Sequence, residues 1–175
     1  MTYFYDRPDC LSVYDVRLEA PVKGNPHLLS NGNLIENGPL AEKRDGSDWH
    51  FAQWHDPHPK PAYLFACVAG DLARVEDSFT TSSGREVDLH IYVEHGKEDR
   101  VSYAMDALKR SMRWDEERFG LAYDLNEYNI VATDDFNMGA MENKGLNIFN
   151  TKYVLAKQDT ATDQDFINVE AVIGH

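Results

Sequence analysis

Polar and apolar positions change their rhythm partway along this chain. Before residues 71 to 80, short apolar stretches are cut by Pro8, Pro21, Gly24, Pro26, the Ser30-Asn31-Gly32-Asn33 turn, Gly38-Pro39 and Pro57, Pro59 and Pro61. That punctuation belongs to an all-β module. Leu34 and Ile35, directly after the Asn-Gly turn, predict a hairpin, and the apolar run from Tyr63 to Ala69 predicts a strand buried on both faces. From Phe79 onward the pattern is mixed. Val87, Leu89, Ile91 and Val93 alternate with polar neighbours as in a half-buried strand. Val101, Met105, Leu108, Met112 and Phe119 then recur at helical spacing, with Asp99 as the predicted N-cap and Gly120 placed to close the helix. Tyr128, Ile130 and Ala132 predict another strand, and Leu146 to Phe149 a third. A last helix starts at Thr162, whose partner Asp165 makes a capping box, and carries an apolar stripe of Phe166, Val169, Val172 and Ile173. No stop signal follows that stripe, so the pattern predicts a helix interrupted at Gly174-His175.

Composition narrows the partners. With 42% hydrophobic and 11% aromatic residues, 175 residues suffice for one domain or parts of two. A net charge of −13 repels phosphate backbones and anionic lipid, so nucleic acid and membrane are excluded as expected partners. Cys10 and Cys67 stand far apart in no metal or redox spacing and read as apolar fillers of a reduced, cytoplasmic protein. The first residues carry charge where a signal peptide needs an apolar stretch, and the longest apolar run is too short to span a bilayer.

One short segment carries chemistry. Glu142 is a lone carboxylate among Met138, Gly139, Ala140 and Met141, next to the amide of Asn143. Such a setting can hold an ammonium group, glycine lets another backbone come close, and a strand edge can take an extended peptide as an extra strand. Gly139-Ala140 as a tight strand connection beside a solvated Glu142 accounts for the same residues, and the residues leave both readings open.

The stretch Asn137 to Asn150, read NMGAMENKGLNIFN, resembles the exopeptidase signature region of the M1 (gluzincin) zinc aminopeptidases, in their bacterial alanyl-aminopeptidase branch. Five further blocks fall in that family's order: Tyr3 to Asp9, Leu28 to Asn33, Pro59 to Phe65, Trp114 to Gly120 and Asp159 to Asp163. The resemblance implies that Glu142 binds the substrate's α-amino group, that the Gly139 and Ala140 backbone bonds the peptide or the oxyanion side of the scissile bond, and that Met138 lines the first side-chain pocket. Met141 and Asn143 complete the substrate-binding stretch. Met138 would be a soft wall, suiting a broad preference for Ala, Leu, Arg or Lys. His175 matches the first His of the HExxH zinc motif, whose Glu is the general base on zinc-bound water. In this chain only His175 of the ligand set is present, so no catalytic set is complete and one imidazole is not expected to hold Zn2+ tightly.

The expected fold is α+β: residues 1–72 as the end of an N-terminal β-sandwich-like domain, and 73–175 as the first part of a thermolysin-like metallopeptidase domain. The expected function is part of a zinc metalloaminopeptidase that releases N-terminal residues from peptides with a free N-terminus, its parent monomeric and this segment inactive alone. A non-enzymatic peptide-binding fragment is the alternative. An M1-related epoxide hydrolase is disfavoured, since such relatives carry Gly where Ala140 stands. His50, His55 and His58 lie close in sequence, but Pro57 and Pro59 place them in a predicted loop with no completing ligand. His90 and His95 read as solvated, Asp115 to Arg118 as an exposed helix face, and Ala41 to Trp49 as an insertion of unassigned role.

Overall fold

A computed structural model describes residues 3–175, which form an α+β chain of two compact units. The first unit comprises residues up to Leu72 together with Glu142–Leu146; the second comprises Ala73–Met141 and Asn147–His175.

Five strands build the first unit: β1 (Ser12–Pro21), β2 (His27–Ser30), β3 (Asn33–Pro39), β4 (Trp49–Lys60) and β5 (Cys67–Gly70). One antiparallel sheet has the order β1-β4-β3, and β2 pairs antiparallel with β5 in a second. The two are tied by Trp54 of β4, which is 2% exposed and donates from Nε1 to the Leu28 carbonyl of β2 at 3.0 Å. An indole buried in this way needs a partner for its N–H, and the second sheet supplies it.

The predicted hairpin after Asn31-Gly32 does not form, because β2 and β3 belong to different sheets. Gly32 instead lets the chain cross between them. Its φ is +93°, and a β-carbon there would fall 2.2 Å from the His55 carbonyl oxygen and 2.5 Å from Asp56 Cα. Only glycine meets both demands. The run Tyr63 to Ala69 is not one doubly buried strand either: Ala62–Leu64 is a 3-10 turn, and β5 starts at an exposed Cys67, which is no core filler. An apolar run is ambiguous without periodicity, and Pro61 at its head favours the turn.

Residues 50 to 58 lie on β4 rather than in a loop. β3 pairs with β4 only as far as His55, so Pro57 and Pro59 sit where β4 has β1 alone for a neighbour. A strand tolerates proline where no ladder N–H is required. Between Tyr14↔Asp56 and Ser12↔Lys60 the register shifts, the irregularity of a bulge.

The second unit holds a five-stranded sheet ordered β6-β7-β8-β10-β9, from β6 (Ala73–Thr80), β7 (Glu86–Val93), β8 (Glu127–Thr133), β9 (Ala140–Met141) and β10 (Leu146–Asn150). β6 and β7 form an antiparallel hairpin, while β7 and β8 run parallel, with helix α1 (Ser102–Phe119) as the crossover that parallel pairing requires. Val87, Leu89, Ile91 and Val93 are fully buried, as their alternation predicts. α1 covers them with Ala104, Met105, Ala107, Leu108 and Met112, and helix α2 (Asp163–Ile173) adds Val169 and Ile173. β6 escapes the sequence pattern because its exposed face carries charge and its buried face has only Ala73, Val75 and Phe79 at wide intervals.

Three further expectations need correction. α1 starts at Ser102 with Val101 before it, because Glu98–Arg100 is a 3-10 turn and Asp99 is spent on an ion pair with Lys157 at 2.7 Å. Phe119 is 59% exposed and meets Trp114 edge to face rather than joining the apolar stripe. Glu116 is buried, not on an exposed face: it accepts from the Ser82 N–H at 2.8 Å and from Arg113 at 2.9 Å. Gly120 closes α1 with φ +67°, and Thr162 and Asp165 form the reciprocal capping box of α2. Among the described residues no helix is long and apolar enough to cross a membrane.

Candidate functional site

The segment from Met138 to Asn143 leaves the second unit and enters the first between Met141 and Glu142. Its approach is fixed by polar contacts. The loop after β8 is held at Asp134, which accepts from Thr151 Oγ1 and pairs with Lys97 at 2.9 Å. These contacts, Thr151 first, keep the Asp134 carboxyl below its ordinary range. Asn150 at the end of β10 does more. Its side chain donates to the Phe136 carbonyl at 3.0 Å and accepts from Lys152 N–H at 3.1 Å, while its backbone N–H donates to the Gly139 carbonyl at 2.9 Å. One residue thus fixes both flanks of Met138, whose side chain is 63% exposed.

Gly139 lies where space is tight. A β-carbon there would lie 3.0 Å from Cε2 of Tyr153, so the ring occupies the room that a side chain would need. Ala140 and Met141 form β9, paired with Phe149 and Ile148 on β10, and β9 is the last strand of its sheet. With the Gly139 carbonyl turned toward β10, alternation turns the Ala140 peptide groups toward the sheet's edge.

Glu142 is exposed, whereas Asn143 is 3% exposed and its Oδ1 has no hydrogen-bond partner. A buried amide oxygen left unpaired is costly and marks a place where a further donor is wanted. The Asn143 carbonyl accepts from Leu146 N–H at 2.9 Å, closing a turn through Gly145 at φ +83°. Within the first unit that turn is gripped by Asn31, which donates to the Lys144 carbonyl at 3.0 Å. Nothing in the sequence pattern singles out Asn31 or Asn150 as partners of this segment, since each contact depends on the fold.

His175 follows α2 and is exposed. Among the described residues no group of three or more His, Cys, Asp or Glu side chains could hold a metal ion, so the residues present do not fit a zinc site. The three clustered histidines of β4 do not form one. His50 is hydrogen-bonded to the Asn25 carbonyl at 2.6 Å and His55 to Asp15 at 2.7 Å. His90, expected to be solvated, is instead half-buried and hydrogen-bonded to Asn129 at 3.0 Å; His95 is exposed.

Comparison with known proteins finds relatives along the whole chain. Residues 103–175 match the Peptidase family M1 domain. Aminopeptidase N of Escherichia coli is 58% identical over all 175 residues, and that of Haemophilus influenzae 54%. Among solved structures, Legionella pneumophila aminopeptidase A in complex with aspartic acid aligns over 99% of the chain with a TM-score of 0.91 and 39% identity. In each case the chain spans 20% of the relative's length. The likeness defines the class first: this is an α+β chain similar over its whole length to part of each of these aminopeptidases. More narrowly, the resemblance is to peptidase family M1, whose domain matches residues 103–175.

Proposed function

We propose that this chain is the part of an M1 aminopeptidase that receives the amino terminus of a peptide substrate. Residues 1–72 would end an N-terminal β domain and 73–175 begin the catalytic domain. The observation that carries the reading is the junction of an edge strand, β9, with an exposed carboxylate, Glu142, one residue beyond it. An extended peptide adding to the edge through Ala140 would bring its ammonium to a carboxylate able to pair with it. The aspartic acid bound to the Legionella relative carries the α-amino group that such an anchor suits.

Each residue has a separate task here. Ala140 presents backbone groups, Gly139 supplies room beside Tyr153, and Met138 offers a polarisable surface to the first side chain. Met141 keeps β9 paired to β10. The unpaired Oδ1 of Asn143 is a ready acceptor for an N–H of the bound peptide or for an adjacent amide. His175 would give one imidazole to zinc, the metal that supplies activated water in enzymes of this kind. One imidazole is not a site, so this chain contributes substrate binding rather than the hydrolytic step.

Glu142→Gln in the protein that carries this chain tests the reading. Loss of the charge should raise KM for substrates with a free amino terminus by about tenfold or more, the scale of one charge-assisted bond, and far less for amino-blocked ligands. Equal effects on both would refute the amine role.

A further inference from the structure

We propose that Asn31 is a positioning residue for the amine anchor: a buried amide that fixes the Glu142–Leu146 turn and so sets where the Glu142 carboxylate stands. The inference rests on the amine-binding reading of Glu142 and adds a residue remote from it in sequence.

Asn31 is 1% exposed, and its amide is heavily committed. Oδ1 accepts from Ala66 N–H at 2.7 Å, and Nδ2 donates to the Leu64 carbonyl at 3.4 Å and to the Lys144 carbonyl at 3.0 Å. Both amide hydrogens and one oxygen lone pair are therefore used, leaving the side chain one orientation. Two of these contacts lie in the connection ahead of β5, a local matter of the first unit's own fold. The third reaches residue 144, in the short stretch that the first unit holds although it is flanked in sequence by the second.

Asn31 is itself immobilised from behind. Gly32 sits against the His55 and Asp56 backbone with no room for a β-carbon, and Ser30, fully buried, donates to the Ala66 carbonyl at 3.0 Å. Beneath this crossing Asp56 is fully buried in an ion pair with Lys60. The donor that meets Lys144 is thus mounted on a rigid strand crossing. The turn it meets has its own internal bond, Leu146 N–H to the Asn143 carbonyl at 2.9 Å, so holding residue 144 constrains residues 142 and 143 as well. Precise placement of a charged anchor depends on such supporting contacts.

A double-mutant cycle tests the inference, read as KM for alanine p-nitroanilide in the protein that carries this chain. Asn31→Ser removes both donors and should raise KM about fivefold with the carboxylate intact, yet change it by less than about twofold in a Glu142→Gln background, because a misplaced anchor matters only while the anchor is charged. Ser30→Ala, which loosens the same crossing but leaves the Lys144 bond in place, should raise KM less than Asn31→Ser does. If Asn31→Ser does not accumulate as folded protein, Asn31→Asp, which keeps the Ala66 bond, is read in its place. If Glu142→Gln itself leaves KM unchanged, the amine-anchor reading fails and this inference with it. If Glu142→Gln raises KM while Asn31→Ser has no effect, or the same effect in both backgrounds, only the positioning role is overturned. Failure of both Asn31 variants to fold, with Ser30→Ala folding normally, likewise overturns it and makes Asn31 a determinant of the fold alone.

Discussion

Gly139 shows how closely one position can be specified without backbone strain. Its conformation lies outside the left-handed region, so what excludes a side chain is the Tyr153 ring 3.0 Å from the place of a β-carbon. That ring is half-buried and can yield by a few tenths of an ångström. Gly139→Ala should therefore cost less than about 1 kcal/mol, whereas Gly139→Val, which must displace the ring, should cost about 1–3 kcal/mol through overpacking. Denaturant unfolding of the two variants separates the cases, and equal costs would mean the ring is not the obstacle. Gly32 contrasts with it: there backbone atoms occupy the space and cannot yield. Both glycines are visible in the sequence, but the reasons for them are not.

At the level of elements, the sequence reveals those whose periodicity is complete. β7 and α2 are legible because every second residue of one and the apolar stripe of the other face a single core, and the capping box marks the start of α2. β1, β4 and β6 are not, because charge and proline break their patterns; for β1 and β4 the cost is removed by a pairing partner far along the chain, and for β6 by the hairpin with β7. The candidate site divides the same way. Residues 138 to 143 can be found from their motif, while Asn150 and Tyr153 become visible as their partners only once β9 pairs with β10, and Asn31 only once the fold brings it to Lys144 from 113 residues away. Docking of α2 on α1 carries a pH dependence of definite sign. Glu170 accepts from Arg110 and from Tyr103 Oη at 2.6 Å, and these bonds, Arg110 first, hold its carboxyl below the ordinary 4.5. A depressed carboxylate stabilises the fold above its unfolded pKa and loses that contribution as pH falls through the folded value. Helix α2 should loosen as pH drops below about 4.5, and hydrogen exchange of its amides should show this dependence flattened in Glu170→Gln. The partial exposure of the pair keeps the effect small.

For the molecule as a whole, a chain that spans 20% of its aminopeptidase relatives has an edge strand, β9, followed by an exposed carboxylate, and no metal site among its described residues. The 175 residues alone, supplied with zinc, should show no aminopeptidase turnover with alanine p-nitroanilide; chelator-sensitive turnover would overturn this assignment of tasks. The sequence is also divided unequally. Residues 142 to 146 are enclosed in the second unit's stretch of chain but belong to the first unit. Recombination between relatives is limited by that arrangement. A chimaera joined at Leu72 would take Asn31 from one parent and the turn it grips from the other, so the two halves of this contact are inherited safely only as a pair.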